Sequence, residues 1–260
     1  PDGSVAVYGA VKVPFWNRKL LAEQLSLPID KVRMIEIDVG GGFGARGEFY
    51  PEDFLIPFAA LHIGRPVKWI EDRREHFLAT NHAREMECDL ALACDQQGHV
   101  LALKGEAWCD LGAYLRTNAM TQPRNVAQVI SGPYRVANID MRAVLLMSNK
   151  APAGTYRGPG RFEADFFRER LFDMAASDLG IDRVEFRRRN LITQDEMPYL
   201  LPMIEPYHHS TECDSGNYAQ PFEKCLEEIQ WREREKRIGV PDVNGRYLGL
   251  GMGCYIESGA

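Results

Sequence analysis

Apolar and polar positions along the chain switch between a period of two and a period near 3.6, and the switches mark out short strands and amphipathic helices. Ser4 to Tyr8 reads as a strand. Asn17 fits the N-cap of a helix running through Leu20, Leu21, Leu25 and Leu27 to a break at Pro28. Val32 to Val39 follows as a strand, with Ile35, Ile37 and Val39 apolar and Glu36 and Asp38 charged between them. Beyond a glycine loop at 40–47, Pro51 suits the first turn of a helix, Glu52 and Asp53 suit its positive end, and Gly64-Arg65-Pro66 stops it. Val67 to Ile70 reads as a short strand.

In the middle of the chain, Glu87 to Ala93 and Val100 to Asp110 flank the turn Asp95-Gln96-Gln97-Gly98, which predicts an antiparallel hairpin, and Met141 to Met147 adds a strand. Glu163 to Leu179 places Phe166, Phe167, Leu171, Met174 and Ala175 on one helical face and ends at Gly180. A short helix through Val184 to Arg189 comes next. Residues 193–217 lack periodicity and read as a connecting loop; a helix from Pro221 to Arg237 and a strand-like run from Tyr247 to Ile256 follow. The mixed order predicts an α+β fold, not a regular βαβ array.

With 45% apolar and 26% charged residues in 260, the chain can bury one large core or two modest ones. A net charge of -6 with the two signs interspersed excludes the basic footprint of a nucleic-acid binder. The six cysteines, at 88, 94, 109, 213, 225 and 254, form no CxxC pair and read as reduced structural thiols of a cytoplasmic protein. No run of about eighteen apolar residues is present and no charged n-region with an apolar stretch stands at the start, so neither a membrane span nor export is expected of these residues. An opening Pro1-Asp2-Gly3-Ser4 without Met, and an end inside a strand-like run, suggest a fragment of a larger subunit.

The glycine loop is the first candidate for chemistry. Gly42-Phe43-Gly44-Ala45-Arg46-Gly47 satisfies GxGxxG between a strand and a helix, and Glu71 and Asp72 end the following strand, which imitates a dinucleotide-binding fingerprint. Against it, the preceding strand alternates where a doubly wound sheet demands continuous apolar residues, and Phe49-Tyr50-Pro51 separates the third glycine from the helix. What remains is a backbone able to approach a ligand closely and present successive N–H groups to an oxyanion or phosphate.

Four ordered stretches give that loop a context. Asp38-Val39-Gly40-Gly41-Gly42-Phe43-Gly44, preceded by Ala22-Glu23-Gln24-Leu25-Ser26-Leu27-Pro28, resembles the first molybdopterin-contacting loop of the xanthine dehydrogenase and aldehyde oxidase family. Gly132-Pro133-Tyr134-Arg135-Val136-Ala137-Asn138-Ile139 and Ala151-Pro152-Ala153-Gly154-Thr155-Tyr156-Arg157-Gly158-Pro159-Gly160 resemble later stretches, the second of them an active-site loop, and Arg187-Arg188-Arg189-Asn190-Leu191 resembles the run after it. The resemblance implies the molybdopterin-binding part of a molybdenum hydroxylase large subunit. Such an enzyme oxidises an aldehyde or N-heterocycle with oxygen derived from water and passes electrons to Fe–S and FAD domains or subunits. By the same resemblance residues 1–192 form a first molybdopterin-binding region, and 193–260 a connecting loop, a helix and the start of a further strand region.

Carried over position by position, the resemblance places Gly41, Gly42, Phe43, Gly44, Arg157 and Lys12 at the cofactor and Gly47, Glu48 and Pro159 at the substrate pocket. Lys12 stands where many relatives carry a Gln, which can accept as well as donate; Lys only donates. Gly47 stands where purine-oxidising relatives carry a Glu, and Pro159 where they carry an aromatic, so xanthine is disfavoured as substrate. The second loop has no Cys to bridge to copper, which disfavours carbon monoxide. The family's general base, a Glu, matches nothing before Ala260, so no catalytic base is assigned to this chain, and the metal is held by the pterin, not by side chains. Two other readings stay open: a nicotinamide-dependent dehydrogenase built on the glycine motif, and a scaffold of the same fold without cofactor. His208-His209 with Glu205, Glu212 and Cys213 is a weak metal candidate, the arginines at 187–189 read as a solvated helix end in preference to a docking site for a partner subunit, and Trp231 to Arg237 reads as an exposed helical face.

Overall fold

The computed structural model describes residues 3–82, 84–201 and 212–257. They divide into two compact units that interleave along the chain: one takes the segments up to Glu85, Cys109–Gln122 and Leu145–Pro159, the other Met86–Trp108, Pro123–Val144 and the segment from Gly160 onward.

In the first unit, β1 (Val5–Gly9) and α1 (Pro14–Gln24) lead to β2 (Val32–Glu36), which pairs with β1 in parallel, Val5 opposite Val32 and Val7 opposite Met34. That register puts Val5, Val7, Val32 and Met34 on one face, where Leu21 and Ala22 of α1 cover them. The parallel pair with a helical crossover follows from the strand geometry, since a tight turn joins only antiparallel neighbours. Helix α1 starts at Pro14, not Asn17: proline already satisfies the first helical position, and Asn17 lies buried one turn inside. Helices α2 (Pro51–Ile63) and α3 (Arg73–Ala79) complete this part. Gly64 ends α2 in the left-handed conformation, as read from the sequence. Val67 to Ile70 forms no strand, because among the described residues no neighbour offers it a ladder.

The second unit is built on a three-stranded sheet in the order β3 (Met86–Cys94), β4 (Val100–Asp110) and β5 (Asn138–Leu146). The Asp95 amide bonds to the His99 carbonyl at 3.0 Å and closes the expected hairpin turn. Helix α4 (Thr121–Val129), which the sequence pattern missed, precedes β5, and α5 (Arg161–Leu179) packs on β3. Helix α6 (Arg183–Asn190) follows, then the two-residue strands β6 (Tyr199–Leu200) and β7 (Glu212–Cys213), α7 (Ala219–Glu228) and α8 (Trp231–Glu235). The core holds Leu103, Ile130, Tyr134, Phe172, Phe186 and Trp231.

Several expectations are corrected here. Phe166 and Met174 of α5 are exposed, and the buried face instead carries Ala164, Arg168, Glu169, Phe172 and Ala176. Arg187 is not solvated: it is 0% exposed, held by Glu169 at 2.6 Å and Asp173 at 2.8 Å, while Arg188 and Arg189 pair with Glu185. The helix expected over 221–237 is split at Gln230, which adopts a left-handed conformation, and Trp231 is buried with the Arg183 guanidinium 4.7 Å above its ring. The run 247–256 makes only single bridges, at Tyr247 and Leu248, since no described strand lies beside it. No described helix is long and apolar enough to cross a membrane, and none of the six cysteines is disulfide-bonded.

Candidate functional site

The glycine loop leaves β2 in a conformation that only its own residues tolerate. Gly41 has φ +137 and Gly44 φ +104, in the region that favours glycine, and Phe43 is held at φ +51, where a bulky side chain is strained. A Cβ at Gly41 would lie 2.6 Å from the Phe43 ring, and one at Gly44 would lie 3.0 Å from the Thr155 carbonyl oxygen. Backbone strain at a non-glycine residue persists only where its surroundings fix it. Here a single 3-10 turn, Ala45–Gly47, closed by the Gly47 amide on the Gly44 carbonyl at 2.9 Å, holds the far side of the loop.

The second loop, more than 100 residues later in the sequence, lies directly against the first within the same unit. The Arg157 amide donates to the Phe43 carbonyl at 2.7 Å, and the Thr155 hydroxyl donates to the Gly44 carbonyl at 2.9 Å. The second loop is itself anchored at both ends. Ala153 bridges His82, whose amide donates to the Pro152 carbonyl at 2.9 Å, while the Arg84 guanidinium donates to the carbonyls of Tyr156 and Arg157 and sits 5.4 Å over the Tyr156 ring. Arg84 and the His82 amide carry no local signal in the sequence for these contacts, because their partners in the second loop lie 70 residues or more away.

Positions singled out from the sequence fall around this joint. Phe43 is 62% exposed, and Arg157 and Lys12 are exposed. Among the described residues the main-chain N–H groups of Gly41, Gly42 and Phe43 find no backbone partner. Lys12 donates its amide to the Arg46 carbonyl at 3.3 Å, and its Cδ lies 3.4 Å from where a Gly47 Cβ would stand, so the lysine stem occupies the space beside that glycine. Glu48 is 1% exposed, with its carboxylate accepting from the Asn118 amide at 3.2 Å, while the Asn118 side chain donates to the Gly47 carbonyl at 2.8 Å. Asn17 donates to the Glu48 carbonyl from α1. Pro159 is half-buried at the end of the second loop.

Electrostatically the joint is rich in cations: Arg46 and Arg157 belong to the loops, Lys12 and Arg84 touch them, and Arg116 lies 5.2 Å over the Tyr50 ring. Burial pushes the Tyr50 hydroxyl up to about 12, so it stays protonated and donates to the Ala45 carbonyl at 2.9 Å. Burial also pushes Asp53 up to about 6, opposed by the Tyr50 amide it accepts at the start of α2. Helix α2 begins four residues beyond Gly47, so its N-terminus does not meet the loop as a dinucleotide fingerprint requires. Among the described residues no group of three His, Cys, Asp or Glu is placed to hold a metal ion; His208-His209 lies outside them.

Comparison with known proteins matches residues 1–191 to the molybdopterin cofactor-binding domain family. The chain is 39% identical over 254 residues to the 6-hydroxypseudooxynicotine dehydrogenase complex subunit gamma of Paenarthrobacter nicotinovorans, covering 96% of this chain and 31% of that protein. It is 29% identical over 260 residues to the nicotine 6-hydroxylase large subunit of the same organism, covering 99% and 31%. Its fold superposes with a TM-score of 0.81 on quinoline 2-oxidoreductase from Pseudomonas putida 86, at 31% identity over 90% of this chain and 29% of that one. The chain thus spans less than a third of the relatives it matches.

Proposed function

Since the chain belongs to the molybdopterin cofactor-binding domain family, we propose that its paired loops hold the pterin-bound molybdenum of a hydroxylase large subunit. One observation carries this reading: the two loops singled out by their sequence are stitched together by the Arg157 amide on Phe43 and the Thr155 hydroxyl on Gly44. The donor set fits the group. An anionic, pterin-held metal asks for N–H donors and cations instead of a ligand cluster, and the joint offers the amides of Gly41, Gly42 and Phe43 beside Arg157 and Lys12.

When bound, that group supplies the two-electron redox chemistry. The chain's residues bind and orient it. Gly41 to Gly44 let the main chain approach without side chains in the way, and Arg157 presents a fork of donors whose base is fixed by Arg84. Lys12, Asn118 and Thr155 crowd Gly47, so the substrate side of the pocket is assigned to the half-buried Pro159 at the end of the second loop. Glu48, lying buried against Asn118, acts by holding the loop, so we give it a positioning role. The proton-transfer group belongs to the remainder of the subunit. The relatives named for nicotine and quinoline support an N-heterocycle over an aldehyde as substrate class. By the family resemblance of the sequence, electrons would leave through Fe–S and FAD partners.

The test is molybdenum and pterin content of the full subunit, purified with its partners from a host that makes the cofactor. Near-stoichiometric content, with turnover of a pyridine or quinoline ring, supports the proposal. Folded protein without either group favours the cofactor-free scaffold, and tight binding of a nicotinamide dinucleotide favours the dehydrogenase.

A further inference from the structure

The peptide plane between Tyr156 and Arg157 is held from both ends. A trans peptide points its C=O and its N–H in opposite directions. Here the C=O, that of Tyr156, accepts from the Arg84 guanidinium at 3.1 Å, and the N–H, that of Arg157, donates to the Phe43 carbonyl at 2.7 Å. The second bond is short for an amide on a carbonyl, where about 2.9–3.0 Å is usual. A cation on the C=O polarises the peptide and strengthens its N–H as a donor, so the two contacts reinforce each other.

Arg84 is half-buried and makes more of the loop than this one contact. The same Nη2 donates to the Arg157 carbonyl, and the guanidinium carbon lies 5.4 Å from the centre of the Tyr156 ring. A planar fork that both donates and stacks is something an ammonium does not reproduce. Its neighbours in sequence follow the loop as well: the His82 amide donates to the Pro152 carbonyl at 2.9 Å, and the Gly154 amide to the His82 carbonyl at 3.0 Å. Gly154 permits this close approach, since a Cβ there would stand 2.2 Å from Asn81 Nδ2. Asn81, His82 and Arg84 thus form a rail along the second loop.

On the other side of the held peptide, Phe43 keeps φ at +51, a conformation that persists only where the surroundings impose it. We infer that Arg84 is a positioning residue for Phe43: acting through the Tyr156–Arg157 peptide, it fixes the Phe43 main chain and so aims the amides of Gly41, Gly42 and Phe43 at the anionic group. The aim at that group rests on the proposed function; the hold on Phe43 stands on the hydrogen bonds alone.

The test uses the full-length subunit with its partners and the variants Arg84→Met and Arg84→Lys. In protein purified from cells starved of molybdate, hydrogen exchange at the Arg157 amide is expected to rise about tenfold or more in Arg84→Met, less in Arg84→Lys, and not at all in α1. An unchanged Arg157 amide overturns the inference. So does acceleration that spreads equally through α1, which marks a residue that merely stabilises the unit. If Arg84→Met does not fold, Arg84→Lys decides by the same criteria. In loaded protein, kcat per bound molybdenum should fall about tenfold in Arg84→Met at nearly constant KM; a wild-type kcat per molybdenum would overturn the aim at the group. If the wild-type protein holds no molybdenum while the exchange response is intact, the proposed function fails and the hold of Arg84 on Phe43 stands.

Discussion

At the scale of single residues, Gly44 concentrates the argument for the site. It combines a positive φ with close approach to the Thr155 carbonyl, so Gly44→Ala meets both strain and collision. The expected loss is about 1–3 kcal/mol of stability, read from denaturant titration, together with reduced molybdenum content. An unchanged content would show that the loop does not need this geometry to hold the group. Asp53 makes a prediction about pH. Its folded pKa of about 6 lies above the ordinary carboxylate value, so the folded state binds the proton more tightly. This contribution is full below about pH 4 and is lost as pH rises through 6, a difference of up to about 3 kcal/mol. Asp53→Asn keeps an acceptor for the Tyr50 amide and should flatten that part of the stability profile; an unchanged slope between pH 4 and 6 would exclude Asp53 as its source. The glycines, Phe43 and Arg157 were legible because their types and order are distinctive. Asn118 and Arg84 were not: each is an ordinary polar residue whose meaning comes from a partner 70 or more positions away.

At the scale of elements, legibility followed local punctuation. Pro51 and Gly64 fixed α2, Gly180 fixed the end of α5, and the 95–98 turn fixed the β3–β4 hairpin, since each signal acts through its own backbone. Helix α3 had such a signal too, the reciprocal cap between Asp72 and Glu75, which the preference for a strand at 67–70 obscured. The face of α5 failed for a different reason. Counting apolar residues selects Phe166 and Met174, but the buried side is organised by charge: Glu169 accepts from Arg187 at 2.6 Å and from Arg168 at 3.1 Å. Glu169 and both guanidiniums are at most 5% exposed. A buried ion network cannot be told from a solvated one by composition alone. Its consequence is testable. Glu169→Ala takes one partner from each of two buried guanidiniums, leaving Arg187 to Asp173 and Arg168 to Asp165, and should cost about 1–3 kcal/mol. The double variant Glu169→Leu with Arg187→Met, which removes one charge of each sign, should cost clearly less. Equal losses in equilibrium unfolding would mean that packing volume, not the uncompensated charge, sets the cost.

At the scale of the whole molecule, the α+β class was legible from the order of elements, whereas the interleaving of two units was not, because it depends on which distant segments meet. We propose that the sequence boundary near 192 is not a folding boundary. Phe222 and Trp231, beyond it, share a core with Tyr134, Phe172 and Phe186, before it. Arg232 adds an ion pair to Asp182 at 2.7 Å that ties α8 to the start of α6. If residues 218–254 complete that core, removing the buried indole leaves a cavity in the unit as a whole. Trp231→Ala should then lower stability by about 3–5 kcal/mol, as much as Phe172→Ala, and in the same cooperative transition. Denaturant unfolding of the full-length subunit, followed by far-UV circular dichroism and by hydrogen exchange of α5, distinguishes the cases. A Trp231→Ala loss below about 1 kcal/mol with α5 protection unchanged would make the later segment a peripheral addition. Matching losses at both positions would mean that the arginine-rich α6 is the hinge of one core, with Arg187 turned inward to Glu169 and Arg188 turned outward to Glu223 of α7.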